Sequence, residues 1–359
     1  MKLTKKLKFF CTICVVFSLS LYLLYNTVVL FVSKNFNVYS GTPVKCISTV
    51  STRTSFVTNE GVYITGDYYH DLDTSVGLRG IKECAYKRVQ TPVMFFEGYA
   101  DDVILTSFGG FVTQNSKLYL FTIEHSKFKT PILIADNCLE PVNAFNFGDK
   151  GYCCLYVNNA NELILKSIDQ NWTQLCLENV IGCKYYSNGI YIILKADGSL
   201  WLMDAEKINN YNEVSKCTKI ADNVKSFAYS SLSFGGQGEQ NNFVLLSKDG
   251  KVYKKYGLNA PLEEVCDSAK DIGIYKQNIV VLTLDNKLEY YTNNGVKTKM
   301  DAENVEIFAV SDNIICAYSK TSGLLFWGEN KYNSFGFKTS TPKIDLISPP
   351  AEDNQGTVL

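Results

Sequence analysis

The chain has 359 residues, of which 46% are hydrophobic, 13% aromatic and 20% charged, with only 8 Pro. That composition excludes an intrinsically disordered polymer and supplies ample core material. The formal net charge of −1 conceals an imbalance: beyond residue 34, 30 basic residues face 36 acidic ones, a net −6, and Arg53, Arg79 and Arg88 are the only arginines. An acidic chain so poor in guanidinium forks excludes nucleic acid as a partner.

Residues 1–8 carry Lys2, Lys5, Lys6 and Lys8, and no charged side chain occurs from Phe9 to Ser33. A helix rises about 1.5 Å per residue and the hydrocarbon core of a bilayer is about 30 Å thick, so about 20 apolar residues suffice to cross it. A transmembrane helix is predicted over 9–33, with the lysines holding residues 1–8 in the cytoplasm and the rest of the chain outside. A cleaved signal peptide is the alternative. The run exceeds a usual signal core and no small-x-small cleavage site follows, so an uncleaved single-pass anchor is the expectation. Residues 34–43 read as a linker or a closing strand.

From residue 44 onward a repeat sets the pattern. A short tag precedes an apolar run at Ala135-Asp136-Asn137-Cys138, Leu177-Glu178-Asn179-Val180, Ala221-Asp222-Asn223-Val224 and Ala302-Glu303-Asn304-Val305, with looser copies at Ala100-Asp101-Asp102-Val103 and Ala269-Lys270-Asp271-Ile272. Asn and Asp turn the chain sharply, so each tag reads as the start of a strand. After each tag come an apolar run, a polar turn and a second apolar run. The turns are Glu60-Gly61, Asn115-Ser116, Ala160-Asn161, Asp197-Gly198, Asp249-Gly250, Asp285-Asn286 and Ser322-Gly323. Each reads as a β-hairpin, and Asp-Gly suits a type I′ turn.

The turns recur about every 44 residues, and four strands of five to six residues with short connections need roughly 35–45. Many strands are apolar on both faces, as expected where sheets stack face to face around a ring. No stretch beyond the anchor has helical periodicity over three turns. The predicted fold is all-β: a seven-bladed β-propeller of four-stranded antiparallel blades over 44–348, with a flexible tail at 349–359. Phe36–Ser40 and Lys343–Ser348 are candidates to complete one blade and close the ring.

At the end of the seventh hairpin, Leu325-Phe326-Trp327-Gly328-Glu329-Asn330-Lys331-Tyr332-Asn333-Ser334-Phe335-Gly336 resembles the repeat of the regulator of chromosome condensation family, a strand ending in an aromatic, then Gly-x-Asn, then a Gly-containing turn. Tyr253-Lys254-Lys255-Tyr256-Gly257-Leu258-Asn259 matches its core, and Val62-Tyr63-Ile64-Thr65-Gly66-Asp67 matches loosely. The resemblance implies a seven-bladed ring used as a recognition surface. The family's nucleotide-exchange and chromatin roles are not expected in an acidic, anchored chain.

Ten cysteines (46, 84, 138, 153, 154, 176, 183, 217, 266, 316) lie beyond the anchor, with no C-x-x-C pair among them. They read as buried small hydrophobes and not as a metal site, with a disulfide or two left open. Only His70 and His125 could serve as an imidazole base, and His125 reads as a solvated loop residue. No catalytic residue, cofactor or metal is expected. Contact residues are expected on the loops 66–73 and 328–335, namely Tyr68, Tyr69, His70, Asp71, Asp73, Glu329, Asn330, Tyr332 and Phe335, and on the Gly-rich loop 234–242, because the exposed loops of a rigid ring carry recognition. The expected function is a membrane-tethered scaffold outside the cytoplasm, on a bacterial surface, binding a protein or a glycan. The alternatives are a carbohydrate-active lyase or hydrolase with a carboxylate pair facing the central channel, and a structural envelope component.

Overall fold

The computed structural model describes residues 43–328, apart from 51–52, 69–86, 107–108, 125–126, 129–130, 147–151, 169, 188–189, 205–216, 231–241, 293–294, 301 and 312–313. Every regular element among these residues is a strand. The first sheet holds β1 (Cys46–Val50), β2 (Arg53–Val57), β3 (Gly61–Tyr68) and β4 (Lys87–Glu97). The second holds β5 (Asp102–Thr106), β6 (Gly109–Gln114) and β7 (Lys117–Glu124), with β8 (Lys127–Phe128) and β9 (Ile132–Ala135) sharing the outer position beside β7. The third is β10 (Cys138–Asn146), β11 (Tyr152–Asn158), β12 (Leu163–Ser167) and β13 (Thr173–Leu177); the fourth is β14 (Val180–Ser187), β15 (Ile190–Lys195), β16 (Leu200–Asp204) and β17 (Thr218–Ala221). The fifth is β18 (Val224–Ser230), β19 (Asn242–Ser247), β20 (Val252–Tyr256) and β21 (Glu263–Cys266); the sixth is β22 (Ala269–Tyr275), β23 (Asn278–Thr283), β24 (Leu288–Tyr291) and β25 (Lys297–Lys299). The seventh has three strands among the described residues, β26 (Val305–Val310), β27 (Ile314–Ser319) and β28 (Gly323–Gly328).

These sheets are the blades of a seven-bladed β-propeller, antiparallel throughout, and the seven predicted hairpins are its second-to-third strand turns. The first strand of the first blade packs on β5 on one side and on β26 on the other, which closes the ring. Phe36–Ser40 and Lys343–Ser348 lie outside the described residues.

The apolar strands are explained by what lies between blades. Cys153, Leu155, Val157, Leu163 and Leu165 of the third blade pack against Val180, Cys183, Tyr191 and Ile193 of the fourth. Equivalent clusters join the first and second, second and third, fourth and fifth, fifth and sixth, and sixth and seventh blades. Each fully buried aliphatic side chain stabilises the fold by about 1.5–3 kcal/mol. The nine described cysteines are free thiols, and six of them are buried.

The tag and the hairpin turn out to be two halves of one joint. Asn179, Asn223, Ser268 and Asn304 have φ of 60°, 59°, 60° and 55°, the left-handed region that Asn tolerates better than most side chains. The next residue donates its N–H to the previous blade's hairpin, as in Val180 to the Asn161 carbonyl (2.7 Å), Val224 to Gly198 (2.8 Å), Ala269 to Gly250 (3.0 Å) and Val305 to Asn286 (2.9 Å). The tag's own carbonyl accepts from its own blade's turn, as in Lys248 N–H to Asn223 (3.0 Å) and Lys320 N–H to Asn304 (3.1 Å).

Three expectations need correction. In the Asp-Gly turns only the glycine has positive φ, 90° at Gly198 and 86° at Gly250. Gly198 N–H bonds to the Lys195 carbonyl at 2.9 Å and Lys195 N–H to Ser199 at 2.9 Å. That is a three-residue loop closed by a left-handed residue, not a type I′ turn. Second, the sixth tag is Asp267-Ser268-Ala269: Ser268 occupies the place of Asn223, so the looser copy read at 269–272 was three residues out of register. Third, Gly257 and Gly328 do turn the chain with φ of 74° and 105°, but Gly66 lies inside β3 opposite Arg53 and Val89, next to a register slip after Ile64, so the loosest repeat copy stays in the strand there.

Candidate functional site

Antiparallel pairing puts the strand starts and the second-to-third turns on one face of the ring and the other connections on the opposite face. The first face is built from short, hydrogen-bonded turns. Tyr68 is the last residue of β3, the strand end that lies at the opposite face. The other expected contact residues (Tyr69, His70, Asp71, Asp73, Glu329, Asn330, Tyr332 and Phe335), the 234–241 stretch, and both histidines lie outside the described residues.

The described residues present a different site, a central cavity of about 650 Å³ lined by the first strands of all seven blades. Its ionisable lining side chains include Glu140 on β10, Lys184 on β14 and Asp271 on β22, and toward the loop face it is walled by Tyr185, Tyr229 and Val310.

The placement of the two carboxylates follows from a backbone irregularity. In five blades the first strand slips register just after its first residue, at Cys138/Glu140, Val180/Gly182, Val224/Ser226, Ala269/Asp271 and Val305/Ile307. A β-bulge re-aims the following side chain, and the residue after the slip is Glu140, Gly182, Ser226, Asp271 and Ile307 in turn. Glu140 and Asp271 therefore occupy the same bulge position three blades apart and both line the cavity, with Gly182 and Ser226 at that position on the two blades between them; a Cβ at Gly182 would lie 3.6 Å from Glu140 Oε2, so the carboxylate rests over the space the glycine leaves.

Enclosure by the surrounding strands pushes the Glu140 carboxyl up to about 7; the Lys184 ammonium and the Cys183 N–H pull it down, and Asp102 pushes it further up. Asp271 is likewise raised by burial, against the Ile272 N–H and the ammonium groups of Lys184, Lys225 and Lys270. Asp102, at the start of β5, is also raised by burial, while its Oδ1 accepts from Cys46 Sγ at 2.6 Å and from Val103 N–H at 2.7 Å. Lys184 does not close an ion pair with either lining carboxylate: its Nζ donates to the Phe227 carbonyl at 3.0 Å and lies 5.0 Å from the centre of the Phe227 ring. Tyr229 donates its hydroxyl to the Tyr185 carbonyl.

Glu140 and Asp271 were not singled out as site residues from sequence. Asp271 lies inside a tag that the sequence reads out of register, and Glu140 sits just past one; aligning the tags on the residue before the first strand, Asn137 and Ser268, brings both to the same position. Among the described residues no group of three or more His, Cys, Asp and Glu side chains could hold a metal ion. No described helix is long and apolar enough to cross a membrane, and residues 9–33 lie outside the described residues.

No protein-family model and no curated protein matches this chain. Solved structures similar to it include PorZ, a surface component of the type-IX secretion system of Porphyromonas gingivalis, with a TM-score of 0.49 and 13% identity over 79% of this chain. The match spans 36% of the length of PorZ. BamB from Moraxella catarrhalis has a TM-score of 0.44 and 9% identity, covering 80% of this chain and 86% of BamB. Prp20p from Saccharomyces cerevisiae, whose structure was described with its binding to Gsp1p and histones, has a TM-score of 0.47 and 11% identity, covering 74% of this chain and 80% of Prp20p. At these scores and identities none of the three carries a function over.

Proposed function

We propose that this chain is a membrane-tethered recognition scaffold, held by residues 9–33 with its propeller outside the cytoplasm, that binds a protein partner at its central channel. The observation that carries the binding reading is the channel lining. A fold gains no stability by enclosing carboxylates that no lysine pairs with, so Glu140 and Asp271 are better explained by a ligand than by packing. The tether rests on the uncharged run from Phe9 to Ser33 behind four lysines. Membership in the regulator of chromosome condensation repeat family rests on the motif at 325–336 and on the turning glycines Gly257 and Gly328.

The test uses the full-length chain in its own membranes, with chemical cross-linking in intact cells, mass spectrometry, and external protease treatment. The expected result is a membrane-bound chain, cleaved from outside, with a reproducible protein cross-linked near β10 or β22. A chain recovered in the soluble fraction would sink the tether, and cross-links confined to the chain itself would sink the scaffold.

A carbohydrate-active enzyme is the second reading, favoured by the presence of Glu140 and Asp271 in the lining of one cavity. A carboxyl near 7 suits a general acid. Glycan turnover by the purified chain that disappears in Glu140→Gln would establish it.

A further inference from the structure

We infer that the channel holds a lysine or arginine side chain of the partner, its cationic head between Glu140 and Asp271 and its stem along the apolar wall toward Tyr185 and Tyr229. The inference rests on the scaffold reading and specifies its ligand. Three features on separate blades point to it.

The first is the carboxylate geometry. Glu140 and Asp271 stand at the same bulge position three blades apart and both line the cavity, and the small residues Gly182 and Ser226 at that position on the two blades between leave room into which the Glu140 carboxylate leans, 3.6 Å from where a Cβ at Gly182 would lie. The second is the unmade ion pair. Lys184 is near enough to both carboxylates to pull on them, yet its ammonium is committed to the Phe227 carbonyl and ring. Glu140 is left with a backbone N–H as its hydrogen-bond donor. The third is the gradient along the axis, from acidic at the strand starts to aromatic and aliphatic at Tyr185, Tyr229 and Val310. A butyl stem with a charged end has that same polarity, burying its methylenes while its head meets a carboxylate. Neutral or acidic glycans do not.

The test measures binding of n-butylamine and n-butylguanidine to the full-length protein by saturation-transfer NMR, beside n-butanol and butyrate. Both cations are expected to bind and butyrate to fail. Affinity should climb about tenfold from pH 6 to pH 8, because a carboxyl at about 7 ionises over that range while the amine stays charged. Glu140→Gln and Asp271→Asn should each weaken binding about tenfold, and Lys184→Met should strengthen it by removing the resident cation. Equal binding of n-butanol, or full cation affinity in a folded Glu140→Gln, Asp271→Asn double variant, would overturn the inference. A partner cross-linked equally well by that double variant would leave the scaffold reading standing and remove only its ligand.

Discussion

At Glu140 the enclosure that pushes the carboxyl up to about 7 works against the folded chain whenever the group is ionised. The folded state holds the proton more tightly than the unfolded state, whose glutamates titrate at about 4.3. Its contribution is therefore fully present below about pH 4 and is lost as pH rises from there to 7. Glu140→Gln should stabilise the protein at pH 8 by about 1–3 kcal/mol, discounted for the partial exposure of the site and for Lys184, and leave it unchanged at pH 4. Urea unfolding at the two pH values checks this. Equal midpoints at pH 8 would mean that the carboxylate is not enclosed. A stabilising change at a site that binding needs is the usual signature of function opposed to stability.

Among the elements, the joint between tag and turn was half legible. The Asp-Asn and Asp-Gly signals are local chemistry, so they marked both pieces correctly. That one bonds to the other across a blade boundary is a contact between residues tens of positions apart, invisible to a window. The same limit explains the sixth tag, where Ser268 replaces Asn and the bulge moves Asp271 by one place. The joint makes a specific demand at Asn304, φ 55°: Asn304→Val should cost about 1–2 kcal/mol, the penalty of an L-residue held left-handed, and Asn304→Gly far less. Comparison of their urea midpoints decides. A valine variant as stable as the glycine one would show that the left-handed start does not matter.

Trp327 is fully buried within the cluster shared by the sixth and seventh blades. Trp327→Ala should cost about 3–5 kcal/mol by opening a cavity there. Thermal unfolding checks it, with a loss below 1 kcal/mol as the contrary result.

For the whole molecule, the repeat count was enough to set seven blades, because each blade is a local unit written in consecutive residues. A central channel follows from the ring, but its lining residues were not legible, since they come from seven strands spread between Ile47 and Val310 and meet only once the first blade joins the last. The expected contact residues on the loops lie, Tyr68 apart, outside the described residues, and the residues that line the channel are single positions in seven similar strands. If the ring is a scaffold that works through this channel, filling the channel must silence it without unfolding it. The direct measurement is partner cross-linking by full-length Ser226→Trp, which puts an indole at the level of Glu140 and Asp271. The expected result is loss of the cross-linked partner with the thermal midpoint within a few degrees of the original. Undiminished cross-linking by the filled ring would contradict it.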